Sequence, residues 1–198
     1  STNAVARVGT ARGFLRVDGE PFADTVSALT TTNAVWHALR IDETGADVGS
    51  ATVWTGTNAD GTAAATTCGN WTSTSGSTLT GRTDGGPISW TADDSATCSG
   101  IARRLYCVGI DRTTPLVPPP ASGKLAFVSN LGFVPSQGVA KPDEICATQA
   151  ADAGLAGSYK ALLSTTPTSA AARFGAFATT YVRRDGIAIA SGATLAAG

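Results

Sequence analysis

Three of the four cysteines of this chain fall between Cys68 and Cys107, in a segment crowded with glycine, serine, threonine and aspartate. Successive cysteines are separated by 29, 8 and 38 residues. That spacing contains no C-x-x-C pair and so argues against a zinc knuckle, whereas an even number of cysteines favours two disulfides formed in an oxidising compartment. The segment also holds Trp71 and Trp90. It has the layout of a loop-rich scaffold pinned by sulfur rather than of an active site. Its last stretch, Ile101–Ile110, reads as a strand that must pair with something.

The remaining composition narrows the class. Hydrophobic residues make up 42% of 198, enough for a real core. Charged residues are only 15% and the net charge is −1, which lacks the basic excess of a nucleic-acid binder. No apolar run approaches the roughly 18 residues of a membrane span. With 23 glycines among runs of Thr, Ser and Ala, turns and short strands are expected over long helices. The chain starts at Ser1, contains no methionine and shows no signal peptide. The expectation is a processed chain whose leader has been removed, located outside the cell or on its surface.

In chain order, residues 1–9 can form a short helical turn, and Gly13–Gly19 a strand entering an Asp-Gly turn. Pro21–Leu39 fits either a short helix or irregular packing. Ile41–Gly45 is a turn, Ser50–Gly56 a β-branched and aromatic strand, and Asn58–Gly61 another turn. A stretch with four prolines, residues 111–123, reads as an extended connector between residues 1–110 and 124–198. Beyond it, Lys124–Ser129 is a strand. Pro142–Leu155 is the best helix, with proline in the first turn and Gly154 as the stop. Tyr159–Ser164 is expected as a buried strand, Thr168 or Ser169 as the cap of a short helix, and Thr180–Gly186 as a strand and turn.

The two ends look alike. Ala6-Arg7-Val8-Gly9, then Phe14 through Arg16 to Asp18-Gly19, is matched by Ala172-Arg173-Phe174-Gly175, then Tyr181 through Arg183 to Asp185-Gly186. Both continue into small and apolar residues, ending near Ala28-Leu29 and Thr194-Leu195. Chance similarity of two low-complexity ends competes with a true repeat, but the kept order of helix, glycine, strand and Asp-Gly favours the repeat.

Val53–Gly56, Cys68–Ser73, Trp90, Cys98 and Arg104–Cys107 together resemble the second half of the bacterial endostatin-like domain of surface and secreted proteins. Phe127–Ser129, Asp143–Cys146, Ala153–Gly157, Tyr159–Ser164 and Arg184–Gly186 resemble its first half, so the halves stand in reversed order here. The resemblance implies an α+β, C-type-lectin-like fold with short antiparallel strands, one main helix, long loops and disulfide pins. Residues 1–110 would be the C-terminal-half-like segment, 111–123 the linker and 124–198 the N-terminal-half-like segment. It further implies bridges Cys68–Cys98 and Cys107–Cys146. A closed domain of this kind has one place for the Arg-x-Asp-Gly strand, so one of the two candidates is expected to be idle or to fill a neighbouring molecule.

Candidates for chemistry are few. His37 is the sole histidine and no G-x-S-x-G elbow accompanies it, which favours a packing role. Asp93 and Asp94 lie where sugar-binding C-type lectins ligate calcium, but two adjacent acids do not supply six to eight oxygens, and a solvated turn is favoured. Arg103 and Arg104 can meet anionic glycans or cover apolar surface. Asn70-Trp71-Thr72 is a glycosylation sequon, with Asn70 read as a turn residue and Trp36, Trp54, Trp71 and Trp90 as core. No metal or cofactor is expected. The expected function is a non-enzymatic extracellular structural or adhesive subunit, assembling head to tail with copies of itself through its end strands. The alternative is a monomeric lectin-like module for glycan or matrix ligands, with an enzyme a distant third.

Overall fold

The computed structural model describes residues 2–32, 34–175 and 179–190. It is a mixed α+β structure with short strands, divided into unit 1, Ser1–Pro118, and unit 2, Pro119–Gly198. The expected repeat end at Thr194-Leu195 lies outside the described residues.

Unit 1 begins with helix α1 (Ala4–Val8), stopped by Gly9 at φ 63°. Strands β1 (Arg12–Leu15) and β2 (Pro21–Thr25) form an antiparallel hairpin with Phe14 opposite Ala23. Helix α2 (Val26–Thr30) follows at once because the Thr25 hydroxyl accepts from the Ala28 N–H at 2.9 Å, closing its first turn. The apolar residues of these elements meet in one core of Ala11, Phe14, Phe22, Ala23, Leu29 and Val35, with Trp90 edge-on to Phe22.

A second antiparallel sheet runs β3 (Thr52–Trp54), β4 (Ser77–Arg82), β5 (Asp94–Thr97), with β4 central. Thr78 and Thr80 are fully buried in it beside Val53. Threonine has valine's branched shape, but its hydroxyl must be satisfied. Thr78 donates to the Thr66 carbonyl at 2.7 Å, and Thr83 to that of Gly49 at 2.6 Å. Gly81 is required by close approach, since a Cβ there would lie 1.8 Å from the Trp90 carbonyl oxygen. Cys68 and Cys98 are bonded, as the resemblance implied.

Ile101–Ile110 differs from its expected strand. It makes a single parallel bridge, Arg104 to Val53, in which the Trp54 N–H donates to the Arg104 carbonyl at 3.0 Å. Ile101 and Leu105 are 60% and 69% exposed, so these side chains gain little of the burial that would hold the stretch in a longer ladder. Trp71 also departs from its core assignment and is half exposed. It belongs to a left-handed turn, Cys68–Trp71, in which all four residues have positive φ.

Unit 2 contains strands β6 (Lys124–Leu125), β7 (Tyr181–Val182) and β8 (Ala188–Ala190), with β6 parallel and β8 antiparallel to the central β7. The main helix spans Ala140–Asp152, and Gly154 at φ 67° ends it where expected. The short helix Ala170–Arg173 is capped by Ser169, whose hydroxyl accepts from the Ala172 N–H at 3.1 Å. Tyr159–Ser164 is not the buried strand expected. Its backbone is held by side chains instead: Arg173 donates to the carbonyls of Ala161 and Leu163, and the Ala161 N–H donates to Asp143. Arg173 and Asp143 pair at 2.6 Å, which ties this stretch to the helix and leaves Leu162 61% exposed.

Candidate functional site

Among the described residues the two end turns fold alike. In the first copy Arg16 grips Asp18, the Gly19 N–H donates to the Arg16 carbonyl at 3.0 Å, and the Arg16 N–H to that of Glu20 at 2.9 Å. In the second, Arg183 grips Asp185, the Gly186 N–H donates to the Arg183 carbonyl at 3.0 Å, and the Arg183 N–H to that of Ile187 at 2.8 Å. Gly19 and Gly186 have φ of 87° and 83°, and the glycines after the preceding helices, Gly9 and Gly175, have 63° and 64°. A third turn of this type lies away from the ends. Arg82 grips Asp84 at 2.9 and 3.1 Å and its carbonyl accepts from Gly85, on the same Arg-x-Asp-Gly string. The turn is thus a general device of the chain. The preceding helix and glycine set the two ends apart.

Neither end strand is idle, contrary to expectation. The Arg12 N–H of β1 donates to the Arg112 carbonyl at 2.9 Å, and Leu116 donates to Asp24, which Arg12 also grips. Against β7, Lys124 and Ala126 donate to Thr180 and Val182, while Ala121 donates to Gly186. The chain around the prolines supplies each hairpin with a neighbour inside its own unit. That is why both places are filled.

The bridge Cys107–Cys146 is not formed. Cys107 is an exposed free thiol on the irregular stretch of unit 1, and Cys146 is a half-buried free thiol on the main helix of unit 2. Burial, with Asp143 nearby, raises the Cys146 thiol above its ordinary value and keeps it protonated.

Of the four charged residues singled out for ligand binding, three come together. Asp93, Asp94 and Arg103 line a polar cleft of about 180 Å³ in unit 1, with Ser50, Thr52 and Arg82. Arg103 lies 4.9 Å above the Trp54 ring, and its buried Nε has no hydrogen-bond partner among the described residues. Arg104 is elsewhere, committed through its backbone to β3. His37 Nδ1 is 3.0 Å from the Pro21 carbonyl, which can only accept, so that nitrogen carries the hydrogen.

A larger apolar groove of about 700 Å³ opens on the core of unit 1. Phe14, Phe22, Leu29 and Trp90 line it together with the exposed Trp71, Leu105, Cys107, Val108 and Ile110. Trp71 stands over Gly56, where a Cβ would come within 2.7 Å of its ring. Tyr106, beside the groove, donates to the Arg82 carbonyl at 2.7 Å, and burial holds its phenol well above the usual range. Sequence reading missed this groove, for which the apolar residues at 105–110 were a signal.

Among the described residues no group of three or more His, Cys, Asp or Glu is placed to hold a metal ion, and no helix is long and apolar enough to cross a membrane. The chain matches no family model, no curated protein and no solved structure.

Proposed function

We propose that this chain is a non-enzymatic, extracellular structural or adhesive subunit built from the two reversed halves of a C-type-lectin-like module, and that it assembles head to tail. The observation that carries the reading is the shared geometry of the two end hairpins, each seated against a segment bordering the proline run. Hairpins with the same turn and register can trade places between molecules at low cost, because the contacts within each hairpin are alike. Only Val117–Pro120, three of them proline, separate Leu116 from Ala121, the residues anchored to the two hairpins. A spacer this stiff favours exchange between molecules over exchange within one. Head-to-tail exchange whose rotation does not close into a ring yields a filament. The Cys68–Cys98 bond is compatible with an extracellular setting. Sedimentation velocity and negative-stain microscopy of the full chain test this. Concentration-dependent linear oligomers are expected, and a single monomeric boundary at high concentration overturns it.

The polar cleft favours a second reading, a monomeric lectin-like module for glycan or matrix ligands. Two carboxylates, hydroxyls and an arginine with an unused N–H suit a hydroxyl-rich ligand that both donates and accepts. Glycan-array binding that Asp93→Ala and Arg103→Ala abolish would support it. An array without signal, with and without calcium, removes it.

A further inference from the structure

We propose that the apolar groove of unit 1 is the seat for unit 2 of a second copy of this chain. The inference rests on the head-to-tail reading and names its contact surface. Three observations converge on that occupant. First, the groove opens directly on the core: Phe14 and Phe22, both under 10% exposed, line it, while Leu105 and Ile110 stand more than 60% exposed beside them. A patch of this kind on a soluble chain marks an interaction surface.

Second, unit 2 is short of buried surface. Among its described residues the buried ones are Pro142, Ala150, Val182 and Ile187, whereas Val128 is 94%, Val134 62% and Leu162 61% exposed. A segment of this size must bury more apolar area to offset the entropy of ordering its chain. A folded partner with an open apolar groove supplies it.

Third, the charges are complementary. Unit 1 carries eight basic and eleven acidic residues, a net charge of −3, and unit 2 six basic and four acidic, a net charge of +2. Opposite signs steer unit 2 of one molecule toward unit 1 of another and disfavour pairing of like units. A heterologous contact of this polarity is the kind that propagates head to tail.

The free thiol of Cys107, exposed among the groove residues, provides the readout. In the full chain under mild reduction, maleimide labelling of Cys107, assigned by peptide mass, is expected to slow at the protein concentrations where sedimentation detects oligomers. Leu105→Asp in the groove and Val128→Asp on unit 2 are each expected to weaken self-association by roughly ten-fold or more. Both positions are exposed, and unchanged circular dichroism verifies the fold. Oligomers that form with Cys107 still fully reactive, or that both variants leave intact, overturn the groove contact while leaving assembly through the hairpins standing. A monomer at every concentration overturns both. A monomer in which Cys107 is protected shows the groove covered from within the same chain and also overturns the proposal.

Discussion

Gly19 and Gly186 occupy the same position of the same turn, yet their surroundings differ. At Gly19 an added Cβ meets nothing within 4 Å, while at Gly186 it would lie 2.9 Å from Cβ and 3.1 Å from Cα of Pro120. Gly19→Ala therefore carries only the penalty of a positive φ, about 1 kcal/mol. Gly186→Ala adds a steric clash with the proline run, for a total of roughly 2–3 kcal/mol. Urea unfolding of the two variants measures the difference, and equal losses would show that Pro120 simply gives way. Carboxylates follow a second rule. The hydrogen bond from Arg12 holds the Asp24 carboxyl below the usual range, and the Leu116 N–H adds to it. Asp18 and Asp84 are lowered in the same way by Arg16 and Arg82. A folded value below the unfolded one means the stabilisation is complete above about pH 4 and is lost as pH falls through the folded value. Asp24→Asn is expected to flatten the acid limb of a stability-versus-pH curve, and an unchanged limb would refute the assignment. Asp-Gly turns were legible because their backbone demand is local. The stacking of Arg103 on Trp54 was not, since it joins residues 49 apart in the sequence.

Among elements, the left-handed turn Cys68–Trp71 depends most on its surroundings. Three of its residues are not glycine, and each costs on the order of 1 kcal/mol in that conformation. The bond to Cys98 anchors the turn, and its 30-residue separation restricts the unfolded chain by roughly 3–4 kcal/mol in the chain-entropy account. The double variant Cys68→Ala, Cys98→Ala is expected to lose about that much stability in guanidinium unfolding, and to shift the fluorescence of the neighbouring Trp71. A loss below about 1 kcal/mol would mean the turn holds without the bond. The helix Ala140–Asp152 was visible in advance because Pro142 and Gly154 punctuate it locally. The strands expected at Ile101–Ile110 and Tyr159–Ser164 were not realised, because a strand exists only through its partner. One of them lies along β3 for a single bridge, and the other is held by the Arg173 and Asp143 side chains.

At the scale of the molecule, the buried apolar residues are distributed unequally between the two units. Unit 1 has a continuous core and a disulfide, while the described part of unit 2 buries few side chains. In dilute solution, limited proteolysis is expected to cut first between Leu155 and Ser164, where the backbone lies outside any ladder and Leu162 is exposed. Unit 1 is expected to persist as a resistant fragment, and cleavage within β3 to β5 at a similar rate would contradict that ranking. What the amino-acid order by itself determined is local: the turns at Asp-Gly, the stop of the main helix, a cap at Thr168 or Ser169, and the likeness of the two ends. These follow from rules that act over a few residues. Only the tertiary structure decided that both end strands are paired, that Cys107 and Cys146 stay free, and that Asp93, Asp94 and Arg103 share a cleft while Leu105 and Ile110 border a groove. Such outcomes depend on which surfaces of distant segments meet, and no short window of sequence contains that information.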